Sequence, residues 1–513
     1  MAVLANATTS QFLHLTDFHI DPLYEASAGP NTNCHRRSLY SKSPPPVLGI
    51  AGSGCDSPIL LVEETLKSLV LTDIDFVLWT GDSSRHDRDN QRRKQRLETY
   101  RDNRLAVDML VKYVPPTIKI VPTIGNWDVF PVSQLECQEN DPQLLNLWDV
   151  WSPLFPLDDP DTEAAKFTFL QGGYLSRMVL DGLVNVLSIN SLSFFTENLL
   201  VPDCAKFELL PWGERPFDPA HIADRQLIWI EEMLIEARQS RTKVILQGHV
   251  SPMGNAEQLW KQECFEWYVY FSGEYSDVIL HFTSQHTTQL EPAKPTPVNP
   301  FRLTTLVPNI IKSYDIKNWK IMSAIFTGSS IVPAYNPGYR VATLAFLPLH
   351  SGGWTVTLER HWTMYLDLAK ANKVASSSQT PGGAPLNYKK SCDTRDDYGI
   401  SDLGGDSLEK WVMVMQGAFP DLAKGKKPGE GAKILRRYGK CIETSLGVQW
   451  DEKGDPVDIV EDNVDGEWVL NGEMVAWVFG LMAVFGGVAV WIYCKRRYGD
   501  SNYTSGETTP LLG

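Results

Sequence analysis

The chain has 513 residues, 43% of them hydrophobic, and carries 16 tryptophans. That length exceeds a single compact core, and that composition excludes a largely disordered protein. A net charge of −15, from 47 basic and 62 acidic side chains, argues against a general nucleic-acid-binding surface.

In chain order, Gln11 to Thr16 reads as a first strand that runs into Asp17-Phe18-His19. A loop rich in Ser, Pro and Gly leads to Gly54-Cys55-Asp56-Ser57-Pro58. Ile59 to Leu71 then has amphipathic helical spacing, with Asp56 or Ser57 expected near its N-cap. Ile74 to Trp79 is a mostly apolar run, expected as a buried strand, and ends in Gly81-Asp82. The next segment is strongly basic: Arg85, Arg88, Arg92, Arg93, Lys94, Arg96, Arg101 and Arg104, partly offset by Asp87, Asp89, Glu98 and Asp102. It reads either as a solvated helix face or as a polyanion-binding patch. Ile118 to Ile124 is a third strand, running into Gly125-Asn126-Trp127-Asp128.

Gln143 to Trp151 reads as a short helix, and Tyr174 to Met178 and Leu183 to Asn190 as strands. Asp224 to Arg238 has helical spacing and leads to the strand Lys243 to Gln247, which ends in Gly248-His249. Asp277 to Leu280 is a short strand ending at His281. Pro292 to Pro300 is a surface loop. Ser323 to Phe326, Arg340 to Leu347 and Trp354 to Glu359 continue the β pattern. Alternating βα units followed by consecutive strands imply an α/β (α+β) fold, a two-sheet β-sandwich flanked by helices. Ala371 to Pro385 has the composition of a flexible linker. No internal repeat is visible.

Four strands therefore end in residues of metal-ligand type: D-x-H at Asp17 and His19, G-D at Asp82, G-N at Asn126 and G-H at His249. Sites of open α/β sheets gather at the carboxyl ends of strands. Carboxylate, amide oxygen and imidazole suit hard or borderline dications. A Gly-Asp after a strand is weak evidence alone, but this ordered series resembles the calcineurin-like metallophosphoesterases. The resemblance implies their fold and two divalent metals, drawn from Mn, Mg, Co, Zn or Fe, that activate water and clamp phosphoryl oxygens.

Several stretches resemble the fungal vacuolar endopolyphosphatases more closely: residues 17–22, 54–58, 79–89, 125–131 and 330–333. The resemblance implies hydrolysis of internal phosphoanhydride bonds of inorganic polyphosphate. It makes Asp17 and His19 ligands of the first metal, Asp82 the bridge, and Asn126 and His249 ligands of the second. Asp82, Asn126 and His86 are the expected catalytic residues, and Arg85 and Arg88 the expected contacts to substrate phosphate. The last two ligands normally come from a Gly-His loop. Here His281 and His286 keep the interval between those histidines, while the expected Gly, Asn and Asp are missing. Trp127 stands where many metallophosphoesterases carry a His that assists the leaving group. That loss matters least for a weakly basic phosphate leaving group, and His86 is placed to supply a proton instead. The alternatives are an acid sphingomyelinase-like phosphodiesterase and a catalytically impaired, membrane-anchored binder of phosphate polymers. His14, His35, His221, His350 and His361 lack motif context and read as structural.

Met474 to Cys494 is free of charge over 21 residues, enough for one transmembrane helix. Acidic residues precede it and Lys495-Arg496-Arg497 follow, so the positive-inside rule places the tail in the cytosol and the body in a lumen. Met1 to Ala5 is too short for a signal h-region, which implies either a processed or truncated start or an uncleaved signal missing from the gene prediction. The alternative, a tail-anchored protein with a cytosolic body, is disfavoured by the charge flanks. Glu507 to Leu512 resembles a dileucine signal read by a sorting adaptor, pointing to a vacuolar or lysosome-like membrane. Seven of the 8 cysteines precede the span, spread without a C-x-x-C pair; Cys34–Cys55 is the expected disulfide. Cys494 is a candidate for palmitoylation, and Asn6-Ala7-Thr8 is a glycosylation sequon. The expected division is a catalytic domain over 11–366, a linker over 367–390, an accessory region over 391–470, the span over 474–494 and a tail over 495–513.

Overall fold

The computed structural model describes residues 9–36, 46–210, 213–254, 257–283, 299–301, 324–334, 336–349, 352–377 and 385–423, with shorter stretches between 303 and 457. The expected span, the tail motif, the sequon and His286 lie outside the described residues. Among the described residues, no helix is long and apolar enough to cross a membrane.

The strands that bear the motifs come first. β1 (Thr9–Leu15), β2 (Ile74–Trp79) and β3 (Lys119–Pro122) lie side by side and parallel. Their alternation is suppressed because both faces are covered: Phe76, Val77, Leu78 and Trp79 are all buried. Between them run α1 (Ile59–Lys67) and α2 (Arg96–Tyr113), the right length for crossovers between parallel strands. Parallel pairing puts the carboxyl ends of all three strands at one edge, which brings Asp17, Asp82 and Asn126 together.

After α3 (Pro142–Trp151) and α4 (Thr162–Gly172), a second sheet begins with the antiparallel pair β4 (Leu175–Leu180) and β5 (Val184–Ser188). The α4 segment carries no clear sequence signal; its polar and apolar residues are poorly segregated around the helix. α5 (Ile222–Ser240) crosses to β6 (Lys243–Gly248), parallel to β5. α6 (Gln262–Glu274) leads to β7 (Ile279–Thr283), and β8 (Ile325–Thr327) closes the sheet in the order β8-β7-β6-β5-β4. The first sheet is completed by a long hairpin, β9 (Gly338–Pro348) and β10 (Trp354–Tyr365), with β9 antiparallel to β1. Polar side chains tie the sheets within a continuous apolar core: Gln247 donates to the Val121 carbonyl and to Thr123, and Thr123 and Ser188 share a hydrogen bond. The mixed two-sheet arrangement is the one the βα pattern predicts.

The expected linker is partly ordered. Residues 368–377 form α7 (Leu368–Ser377), because Leu366 and Leu368 bury against Leu48 and Leu61. Asn372 bonds both the Leu48 N–H and the Gly49 carbonyl. Beyond it, β11 (Lys389–Ser391) adds an edge strand to β10, and α8 (Gly405–Ala423) buries Leu408, Trp411, Val412 and Met415 in the same core. One compact unit thus runs to Val457.

Candidate metal centre

The backbone turns sharply at each strand tip. Asp17, His19 and Asp82 all adopt left-handed conformations, with φ of 51°, 38° and 58°. Such backbone strain in non-glycine residues persists only where surrounding contacts hold it, and it concentrates at functional sites. The contacts are explicit here. Asp17 N–H donates to the Gly81 carbonyl, His19 N–H to that of Asp82 and Ile20 N–H to that of Ser83, so the two loops form one ladder. Asp128 organises the third loop: its buried carboxylate accepts from the main-chain N–H groups of Asp82, Ser83 and Gly125. Gly125 has to be glycine, because a Cβ there would sit 2.2 Å from Oδ1 of Asp82.

The ligand atoms converge. Asp17, His19 and Asp82 each offer one atom within 4.8 Å of the others, and all three residues are buried. His19 Nε2 lies 3.3 Å from Oδ2 of Asp82, and His249 Nε2 lies 3.2 Å from the same oxygen and 2.9 Å from Oδ1 of Asn126. Asp82 therefore stands between the two imidazoles, where a bridging carboxylate belongs. Both rings are oriented from behind. His19 Nδ1 faces the Ser84 carbonyl at 3.1 Å, and His249 Nδ1 faces the Thr80 carbonyl at 2.7 Å. Each Nδ1 is thereby the donor, and each Nε2 turns toward the centre.

The electrostatics show what the donor set lacks. Burial opposes protonation of His249, but the Asp82 carboxylate outweighs it and raises the ring to about 9. Burial opposes charge on His19 as well, and Asp17 and Asp82 overcome it, so its pKa also rises. Burial likewise disfavours the Asp82 carboxylate, yet His249 and His19 hold it well below the usual range. Two buried carboxylates thus draw protons onto two imidazoles. Divalent cations would take over that neutralising role, so the residues present fit a two-cation centre.

His86 completes the pocket and Trp127 lines it. The His86 ring stacks on His19 at 3.9 Å between centroids, and Trp127 meets it edge-on at 4.9 Å. The Trp127 main-chain N–H donates to Oδ1 of Asp82. Burial lowers the pKa of His86, with Asp56 working against that fall.

Other expected residues are placed differently. Arg85 is fully buried; its guanidinium donates to the carbonyls of His86 and Arg92 and lies 3.6 Å from Glu98. It braces the loop instead of facing substrate, because a side chain one step before His86 points into the protein. Arg88 remains half-exposed beside the pocket, donating to the Gly54 carbonyl and lying 3.8 Å from Asp56. His281 lies within β7, its backbone opposite Leu246 and Ile325, and so below the strand tip that carries His249. Asp56 does not cap α1, whose N-cap is Pro58; it binds His86.

Four contributors were not legible as site residues: Asp56, Thr80, Lys94 and Asp128. Lys94 is buried, donates to the carbonyls of Arg85 and Trp127, and lies 5.0 Å over the Trp127 ring. Burial lowers its pKa to about 8. Asp56, Thr80 and Asp128 do fall in the stretches 54–58, 79–89 and 125–131 that carry the family resemblance, but nothing local marks their roles.

The cysteines pair as expected at Cys34–Cys55, and Cys204–Cys264 forms a second disulfide. Cys392 is also disulfide-bonded. The odd cysteine is Cys137, a buried free thiol whose pKa burial pushes up to about 12.

Comparison with known proteins bears on this geometry. The endopolyphosphatase of Saccharomyces cerevisiae is 30% identical over 283 residues, covering 53% of this chain and 39% of that protein. That of Neurospora crassa is 31% identical over 282 residues, covering 53% and 35%. That of Schizosaccharomyces pombe is 29% identical over 322 residues, covering 59% and 52%. The chain therefore spans well under two thirds of the length of these relatives. The family profile described as Calcineurin-like phosphoesterase matches residues 10–281, from β1 through the strand bearing His281. That match takes in Asp17, His19, Asp82, Asn126 and His249 and more than half of the sequence, and the chain belongs to the calcineurin-like phosphoesterase family.

Proposed function

We propose that this protein is an endopolyphosphatase, hydrolysing internal phosphoanhydride bonds of inorganic polyphosphate. One observation carries the reading: the relatives that match over the half of the chain building the metal centre are named endopolyphosphatases. The pocket agrees with it. Trp127 cannot protonate a leaving oxygen, and a phosphate leaving group needs that help least.

Asp17, His19, Asp82, Asn126 and His249 would hold two divalent cations, of Mn, Mg, Co, Zn or Fe type. When bound, such cations supply the positive charge that polarises phosphoryl oxygens and makes water nucleophilic. The protein's own residues do the rest. The Asp128 carboxylate fixes the Asp82 and Asn126 loops against each other, which preorganises the ligands for the cations. His86, held by Asp56 and stacked on His19, stands beside the centre as the group placed to exchange a proton with substrate. Arg88 at the pocket edge neutralises phosphate charge. Trp127 packs edge-on against the His86 ring and helps hold it in place.

We further propose a vacuole-like lumen as the working compartment, with the body anchored through Met474 to Cys494. Support comes from the disulfides Cys34–Cys55 and Cys204–Cys264, which persist in oxidising compartments.

The test is digestion of long-chain polyphosphate followed on a gel, with divalent cations added singly and Asp82→Ala alongside. Shortening through intermediate lengths, absent in Asp82→Ala, is expected. Protein that binds two cations yet leaves chain length unchanged would refute the reading.

A further inference from the structure

The basic segment after Asp82 is sorted by sign. Its acids turn inward. Asp89 is 2% exposed and is taken up by His35 and Arg36. Asp87 caps the Lys94 N–H and pairs with Arg93. Glu98 closes the N-terminus of α2 on the Gln95 N–H. Two of its bases turn inward as well: Arg85 and Lys94 hold main-chain carbonyls. The outward side is left to Arg88, Arg92, Arg93 and Arg96, all four of them exposed. Among the described residues, no ion pair or side-chain hydrogen bond engages Arg92 or Arg96. A chain of net charge −15 thus presents a patch of one sign here.

The segment's ends fix where this patch lies. It leaves the metal centre at His86, which stacks on His19, and returns at Lys94, which bonds the Trp127 carbonyl next to Asn126. Arg88 is two residues from the first anchor, and Arg92, Arg93 and Arg96 are within two residues of the second. The cationic face is therefore continuous with the centre at both ends. Unpaired guanidinium groups on a surface are the arrangement that recognises phosphate oxygens.

We propose that the outward face of residues 88–96 is a track for the polyphosphate chain beyond the scissile bond, with Arg92 and Arg96 as its principal contacts. This rests on the polyphosphate reading above and adds to it an expected preference for long chains over short ones. A substrate of three phosphates is filled by the centre and Arg88; a long chain also covers the track. The uncompensated charge of Arg92 and Arg96 is used only when the chain is long.

The experiment compares wild type with the Arg92→Ala/Arg96→Ala double variant on long-chain sodium polyphosphate and on tripolyphosphate. The track predicts a KM for the long chain higher by roughly ten-fold, with kcat and all tripolyphosphate kinetics unchanged. The Arg92→Lys/Arg96→Lys variant recovers most of the loss. Binding of the long chain, measured separately by titration at several salt concentrations, loses roughly one unit of log-log salt slope per arginine removed. Equal losses on both substrates, or no change in KM and salt slope, would overturn the track. A wild type that binds the long chain through these arginines without cleaving it would refute the endopolyphosphatase reading and leave the track standing. A protein that binds single-stranded RNA as tightly as polyphosphate of equal charge would show a general polyanion surface and overturn the assignment.

Discussion

His86 Nδ1 lies 2.6 Å from one carboxylate oxygen of Asp56, and the His86 main-chain N–H donates to the other at 2.7 Å. One carboxylate thus fixes both the ring and the backbone that carries it. With Nδ1 committed to Asp56, Nε2 is the nitrogen left to exchange a proton with substrate. Asp56→Asn should lower kcat by roughly 10- to 100-fold with little change in KM, since general acid catalysis contributes on that scale or above. The loss should grow as the leaving group becomes more basic. Activity on a series of aryl phosphate esters of graded leaving-group pKa checks this, and a loss independent of leaving group would assign Asp56 a purely structural role.

Gly125 meets Asp82 more closely than any side chain permits: a Cβ would lie 2.3 Å from its main-chain nitrogen. Gly125→Ala should therefore displace the bridging carboxylate and cut bound metal per chain, as measured by elemental analysis, with activity falling roughly 100-fold or more. Gly417→Ala, in open space on α8, is the control and should leave metal content unchanged.

Much of this centre is legible in the sequence because its logic is local. A strand that ends in Asp17-Phe18-His19 or Gly81-Asp82 must turn there, and the turn presents the ligand. Asp56 and Lys94 escape such reading because their roles depend on contacts 30 and 33 residues away in the chain, to His86 and Trp127. Asp56 also sits where a helix cap is expected, and that local role masks the distant one. Arg85 misleads for the converse reason. Proximity to Asp82 in sequence suggests exposure to substrate, but direction alternates along an extended chain, and Arg85 falls on the inner side. In the fold, the β patterns of 340–347 and 354–359 find their hairpin. The small-residue composition of 371–385 hides a helix, since Leu368 and Asn372 anchor its start.

Lys94 is a buried cation whose ammonium satisfies two carbonyls and lies over an indole ring. Lys94→Met keeps its length and apolar stem but leaves the Arg85 and Trp127 carbonyls without their donor. An unsatisfied buried group costs about 1–3 kcal/mol, so chemical denaturation should show destabilisation of that order. Because the Trp127 carbonyl adjoins Asn126, metal affinity should weaken as well. Unchanged metal affinity in a destabilised variant would confine Lys94 to holding the loop.

His35 bridges two carboxylates from separate loops, with Nε2 2.8 Å from Asp21 and Nδ1 2.8 Å from Asp89. Both ring nitrogens face acceptors, so the bridge is complete only in the doubly protonated ring. Burial works against that charge, but Asp21 and Asp89 prevail and the pKa rises above 6.5. A group whose folded pKa is raised contributes stability that is fully present below its unfolded pKa and is lost as pH rises through its folded pKa. His35 should therefore hold the Cys34 loop to the Asp89 loop most firmly under acidic conditions. Replacing it by Gln, which retains shape but never ionises, should lower Tm more at about pH 5 than at about pH 9. Paired thermal scans of the two proteins across that range check this. A Tm difference that stays constant with pH would mean the His35 bridge holds as a neutral hydrogen bond, and the loops would then carry no acid-dependent clasp.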